Sequence, residues 1–146
     1  MTDDLLVEDH PPIPEGYRQM DWRRGFGTQV GPLYQREDGA DYARAFFVQE
    51  HHVNGMNNCH GGMLMTFADM AWGHAISVIY KRYWVTVRLV TDFVSAAHLG
   101  EWVEGNAQIV SNEADFITVK GRIWVGDRTV MTGTGVFKVL GERPRA

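Results

Sequence analysis

The most constraining feature of this sequence is the stretch Gly61 to Tyr80, which contains one Asp and no Lys, Arg or Glu. Its apolar residues recur with the helical period, which predicts a helix of about five turns. Further Met, Trp and Ile residues fall on the other sides, and a helix that is apolar nearly all round is a buried helix. Asp69 lies in its middle. Because burying an unpaired carboxylate is costly, we expect Asp69 to have a function.

The rest of the chain predicts strands. Two strands precede the helix, and the residues between them, 36–39, predict a hairpin turn. Four runs with period-2 alternation follow the helix and predict strands with one buried face. The predicted strands cover residues 31–35, 41–49, 84–95, 101–111, 114–125 and 129–140.

This order of elements predicts an α+β fold, in which an antiparallel sheet is wrapped around one long central helix. The 146 residues correspond to one domain. We expect an N-terminal arm at residues 1–27, with at most a short helix near 15–22, a domain at 28–140 and a frayed tail at 141–146.

The composition excludes several classes of protein. The formal net charge is -4 and no basic stripe is present, so nucleic acid is not an expected partner. No apolar run is long enough for a membrane helix, and no membrane partner is expected. The N-terminus MTDDLLVEDH is not typical of a signal peptide, and Cys59 is the only cysteine. We therefore expect a cytoplasmic protein.

The motif Asn54-Gly55, His60-Gly61-Gly62 and Asp69 resembles the signature of hotdog-fold acyl-CoA thioesterases. The similar branch includes the phenylacetate-pathway thioesterase and the mammalian thioesterase-superfamily proteins, and the run from Val85 to Gly100 resembles its next strand and turn. The resemblance covers residues 30–139. It implies a hotdog fold, hydrolysis of acyl-CoA to a free acid and CoA, and no metal or other cofactor.

Thioester hydrolysis needs a donor for the oxyanion and a carboxylate that activates water or attacks directly. Gly61 opens the predicted helix, where backbone N–H groups lack partners, and we assign its N–H to the thioester carbonyl. Asp69 is the candidate base or nucleophile. Asn54 is expected to position the water or the carboxylate, and its alternative role is that of a turn residue.

The resemblance implies roles for two further residues near the reacting group. His60 would shape the loop before the helix, and Thr86 would hold the water, although an ordinary strand Thr is the alternative. Candidate substrate contacts are Gly62, Met65 and Trp72, with Arg82 for the phosphates of CoA. A solvated surface role for Arg82 stays open.

The spacing of Gly61 and Asp69 predicts an assembly. Eight residues along a helix correspond to about 12 Å, so one chain cannot place both groups on one thioester. Two antiparallel helices related by a two-fold axis would bring them together twice. We therefore predict a homodimer, with a dimer of dimers as the expected larger assembly.

Other interpretations stay open. His51, His52, Cys59 and His60 are possible zinc ligands, but adjacent pairs lack the usual ligand spacing. Cys59 is an alternative nucleophile. A non-catalytic acyl-CoA-binding module and a hydratase or dehydratase are alternative functions. Acyl-chain length, and CoA against carrier protein, are left undecided by the sequence.

Overall fold

The computed structural model describes residues 11–38 and 41–142 of the chain. The helices are α1 (Phe26–Val30) and α2 (Gly61–Tyr80), and a 3₁₀ turn spans Glu50–His52. The strands are β1 (Arg18–Gln19), β2 (Tyr34–Asp38), β3 (Asp41–Phe47), β4 (Arg82–Phe93), β5 (Trp102–Glu113), β6 (Phe116–Val125) and β7 (Arg128–Glu142). Among these residues the strands form a seven-stranded antiparallel sheet in the order β1-β2-β3-β5-β6-β7-β4. The predicted α+β class is confirmed.

Helix α2 has the predicted bounds and packs across one face of the sheet, joining β3 to the edge strand β4. Small residues on the sheet permit this close approach. A Cβ on Gly105 of β5 would lie 2.9 Å from Phe67, and one on Gly121 of β6 would lie 2.1 Å from Trp72. Glycine thus makes room for the large buried side chains of the helix.

The predicted alternation is confirmed in β5 and β6, where every second residue faces the core. These buried residues are Val103, Gly105 and Ala107 in β5 and Ile117, Val119, Gly121 and Ile123 in β6. The intervening residues are half-buried or exposed. Asp38 pairs with Asp41, which confirms the hairpin, but residues 36–38 of the predicted turn belong to β2 and Gly39 lies outside the described residues.

The prediction of one buried face is wrong for β4. Val85 is 45% exposed and Val87 is 53% exposed, although the alternation placed both on a buried face. The physical reason is that β4 pairs only with β7 in the described part of the chain and has a register shift between Thr86 and Arg88. An edge strand with a bulge does not bury one regular face.

No helix forms at residues 15–22, where the sequence allows at most a short one. Arg18–Gln19 forms β1, which pairs with Gln35 and Tyr34 of β2, and helix α1 follows later in the chain. The segment is held by Tyr17, whose hydroxyl donates to Glu104 Oε1 at 2.8 Å and whose ring packs edge-on against Trp102. Packing on the sheet thus replaces the local helical preference. No helix within residues 11–38 and 41–142 has the length and apolar character needed to cross a membrane.

Candidate active site

The predicted carboxylate Asp69 lies beside the edge strand. The Thr86 hydroxyl donates a hydrogen bond to Asp69 Oδ1, so helix α2 and strand β4 present these two side chains together. Asp69 is half-buried and Thr86 is exposed. The expectation of a fully buried Asp69 is therefore wrong for the single chain, because the sheet covers only the opposite side of the helix at this position.

The uncovered side of α2 carries both apolar and polar residues. Its half-buried residues include Met65, Thr66, Asp69 and Met70. The side turned to the sheet carries the buried residues Leu64, Phe67, Ala68, Ala71, Trp72, Ala75 and Ile76. The helix thus presents two methionines beside Asp69 on a face that its own chain leaves partly open.

The N-terminus of α2 leaves the backbone N–H of Gly61 available. A helix start has N–H groups without helical partners. The His60 N–H donates to His52 O at 2.8 Å, and the Gly62 N–H donates to His60 Nδ1 at 2.8 Å. Among the described residues, no hydrogen bond is formed by the Gly61 N–H. It can therefore donate to a ligand, with the positive end of the helix dipole behind it.

His60 serves as the N-cap of α2. Its exposed ring accepts the Gly62 N–H through Nδ1, so a neutral ring carries its proton on Nε2. This contact supports the expected role of His60 in shaping the helix start. It also takes up the backbone donor of Gly62, which leaves Gly62 without a free N–H for a substrate.

Asn54 is used partly by its own loop. Its Oδ1 accepts the backbone N–H groups of Met56 at 2.9 Å and Asn58 at 3.3 Å, as in an Asx turn. In the described part of the chain its side-chain nitrogen makes no hydrogen bond. The amide oxygen of Asn54 thus acts in the turn, which is the alternative role, and only the side-chain nitrogen is left for catalysis.

The loop that carries Asn54 is held in place by the segment after β4. The Cys59 N–H donates to Ala97 O at 2.7 Å, and His98 Nδ1 lies 2.7 Å from Asn58 Oδ1. These contacts connect two segments about forty residues apart in sequence, which no local pattern reveals. They keep the loop, and hence the start of α2, in one position relative to β4.

The candidate substrate contacts differ in their burial and in their hydrogen bonds. Met65 is half-buried on the open face of α2, and its Sδ lies 3.1 Å from Thr91 Oγ1. Trp72 is fully buried, and its Nε1 donates to Arg122 O at 3.4 Å. Trp72 is therefore a core residue and not a substrate contact. Arg82 donates to the carbonyl of Leu140, which directs its side chain back onto β7.

The structure opposes the two alternative uses of the cysteine and histidines. Among the described residues no three His, Cys, Asp or Glu side chains are grouped to hold a metal ion. Cys59 is buried, and burial raises the pKa of its thiol to about 12, which disfavours the thiolate needed for nucleophilic attack.

The sequence did not indicate that Phe93 and His52 lie near the start of α2. The ring of Phe93, at the end of β4, lies 3.5 Å from where a Cβ of Gly61 would be, although Phe93 is 54% exposed. His52 contacts the N-cap of α2 through its backbone. An apolar residue at a strand end and one of two adjacent histidines carry no signal of such contacts.

A family model described as the thioesterase superfamily matches residues 56–132. These residues are more than half of the 146-residue chain and include Gly61, Asp69 and Thr86. The chain belongs to the thioesterase superfamily. Membership identifies a hydrolase of the thioesterase class, and the predicted hotdog fold is confirmed. Asn54 precedes the matched residues.

Three individual proteins are similar to this chain over most of its length. PA0474 of Pseudomonas aeruginosa, whose assignment as an esterase is provisional, is 29% identical over 86% of this chain and 96% of its own. The PaaI protein of E. coli, from the phenylacetic acid degradation operon, has a TM-score of 0.70 at 21% identity, covering 80% of this chain and 84% of its own. BH2602 of Bacillus halodurans, solved with CoA, has a TM-score of 0.63 at 27% identity, covering 71% and 70%.

Proposed function

We propose that this thioesterase hydrolyses acyl-CoA at a site shared between two copies of the chain. The observation that carries the proposal is the position of the two reactive parts. Asp69, whose carboxylate accepts a hydrogen bond from Thr86 of β4, and the available N–H of Gly61 lie on one helix, about 12 Å apart along its axis. A thioester whose carbonyl accepts a hydrogen bond from the Gly61 N–H therefore cannot also reach the Asp69 carboxylate of the same chain.

In the proposed reaction Asp69 of one chain takes a proton from water as the water oxygen bonds to the carbonyl carbon. The carbonyl electron pair moves onto oxygen, where the Gly61 N–H of the second chain donates to it. The C–S bond then breaks, the carbonyl reforms, and sulfur takes the proton from Asp69. The products are a carboxylic acid and the CoA thiol.

Direct attack by Asp69 is the second form of the mechanism. The carboxylate would bond to the carbonyl carbon, expel the thiolate and form a mixed anhydride, which water then hydrolyses. In both forms Thr86 orients the carboxylate through its hydrogen bond. The side-chain nitrogen of Asn54, which lies on the loop before Gly61, would donate to the water or to the partner's carboxylate.

Two surfaces support the second copy. The open face of α2 is apolar around Met65 and Met70, and the outer edge of β4 exposes Val85, Val87 and Val90. A long apolar edge strand is a template for pairing with another chain. If two β4 strands pair about a two-fold axis, their helices run antiparallel and each Gly61 approaches a partner Asp69. A dimer of dimers and a cytoplasmic location stay predictions.

CoA as the thiol is supported by the CoA-containing structure of BH2602. Two arginines that could contact its phosphates are engaged within the chain: Arg82 donates to Leu140 O, and Arg128 contacts Glu101 Oε1 at 2.7 Å. Lys81 is exposed at the C-terminal end of α2. We therefore prefer Lys81 over Arg82 as a phosphate contact.

The test is release of thiol from a panel of acyl-CoA substrates, detected with a thiol reagent. Gly61→Pro removes the proposed donor while keeping a residue favoured at the first helical position, after the extended backbone of His60. Its kcat should fall by about 100-fold or more. Gly61→Ala keeps the N–H, and its Cβ would lie at an ordinary 3.5 Å from Phe93.

We expect Gly61→Ala to retain far more turnover than Gly61→Pro. Full turnover by Gly61→Pro would exclude the backbone donor. Saturable binding of every acyl-CoA with no thiol released by the unmodified protein would instead identify a non-catalytic binding module.

A further inference from the structure

His52 is a buried histidine whose two ring nitrogens both have backbone partners. It is 2% exposed. Its Nδ1 accepts the Gln49 N–H at 3.0 Å, and its Nε2 contacts the carbonyl of Val30 at the end of α1. Because Nδ1 accepts, the proton must be on Nε2, and the neutral ring satisfies both groups.

The surroundings of His52 favour this neutral form. Its ring packs edge-on against Phe46, at 5.0 Å between centroids, and Phe46 packs against Phe67 of α2. His51 lies on its other side at 3.9 Å, and burial lowers the pKa of His52. The ring is thus held between the core, the 3₁₀ turn and α1.

The backbone of His52 continues this arrangement to the helix start. Its carbonyl accepts the His60 N–H, and the ring of His60 accepts the Gly62 N–H, as described above. Gly61 lies between these two hydrogen-bonded amides. The direction of its own N–H is therefore set by the placement of His60, which depends on where the His52 carbonyl is held.

We propose that His52 is a positioning residue for catalysis, which fixes the Gly61 N–H by anchoring the 3₁₀ turn to α1. This role rests on the proposed use of Gly61 as the oxyanion donor. It also assigns a task to α1, which lies outside the residues matched by the superfamily model. His52 itself does not touch the substrate.

The test uses His52→Phe, which keeps an aromatic ring against Phe46 and removes both ring hydrogen bonds. A displaced donor lowers the rate of the chemical step more than ground-state binding, so kcat should fall by about 10-fold to 100-fold with little change in KM. The comparison variant is His51→Phe, because the exposed His51 makes one hydrogen bond among the described residues, to Gly31 O at 2.7 Å, packs on the His52 ring and does not bond His60. It removes a second link between the 3₁₀ turn and the end of α1, so its kcat should fall less than that of His52→Phe.

A double-mutant cycle separates positioning from general damage. If His52 acts through the Gly61 N–H, His52→Phe should change kcat little once Gly61→Pro has removed that group. An equal fall of kcat in both backgrounds would overturn the proposal, as would unchanged kcat in His52→Phe alone. If Gly61→Pro retains full activity, the donor assignment itself fails, which is a different outcome.

Two further variants keep the proposal testable if His52→Phe is too unstable for its activity to be measured. His52→Asn can keep an acceptor for the Gln49 N–H, and His52→Gln can keep a donor for the Val30 carbonyl. Each should retain more kcat than His52→Phe, with circular dichroism confirming the fold. Equal kcat in all three folded variants and the unmodified protein would refute the positioning role.

Discussion

Asp69 and Thr86 are two predicted site residues that contact each other, although the sequence assigns Thr86 to the water and not to the carboxylate. The Thr86 hydroxyl has to donate to the carboxylate, because an ionised carboxylate only accepts. The hydrogen bond restricts the rotation of the Asp69 side chain, and the second carboxylate oxygen has no hydrogen-bond partner among the described residues. Asp69 is therefore oriented within its own chain before a substrate arrives.

Asp69→Asn separates this orientation from the charge. The amide oxygen of Asn can still accept the Thr86 hydrogen bond, but the side chain can neither take a proton nor attack. We expect kcat to fall by about 100-fold or more, with an unchanged molecular mass in light scattering. Near-normal thiol release by this variant would contradict both forms of the mechanism.

At the scale of elements, the packing of helix α2 depends on glycines in the sheet below it. Gly121 of β6 pairs with Gly133 of β7, and the Trp72 ring lies over both. An added Cβ would lie 2.1 Å from Trp72 at Gly121 and 2.7 Å at Gly133. The position of Trp72, and with it the height of α2 above the sheet, requires glycine at both places.

Gly121→Ala should therefore force Trp72 and α2 to move. We expect the free energy of unfolding to fall by about 1–3 kcal/mol, measured by denaturant unfolding. Gly141→Ala is the matched control, because no described residue lies within 4 Å of its added Cβ on β7. Equal stability of the two variants would show that Trp72 adapts without strain.

On the scale of the whole molecule, the proposed second copy would cover the open face of α2 and the edge of β4, which pairs only with β7 among the described residues. They lie next to each other, because β4 is the strand that follows α2 and contacts it through Thr86 and Thr91. One partner could thus cover both apolar surfaces and complete the site. Assembly and activity should be lost together.

Val90→Lys tests this link, since Val90 is 58% exposed on β4 and a charge on an edge strand blocks pairing. We expect a lower molecular mass in light scattering and a fall of about 100-fold or more in kcat/KM. Val110→Lys is the control, at 63% exposure on β5. A fully active monomer from Val90→Lys would exclude a shared site.

The sequence by itself determined the bounds of α2 and the buried faces of β5 and β6. Helical and period-2 patterns are local, and the buried surfaces they predict are those the fold uses. The motif from Asn54 to Asp69 was readable for the same reason, because its residues lie on one loop and one helix. Their spacing alone placed Gly61 and Asp69 too far apart for a single-chain site.

Only the tertiary structure decided which side chains are buried or hydrogen-bonded within the chain and which are available to a ligand or partner. It placed β4 at the edge of the sheet, made Trp72 a core residue, directed Arg82 onto Leu140 and brought His52 to the helix cap. Each of these results depends on contacts between distant segments or on a shifted strand register. Residue patterns within one segment contain no information about such contacts.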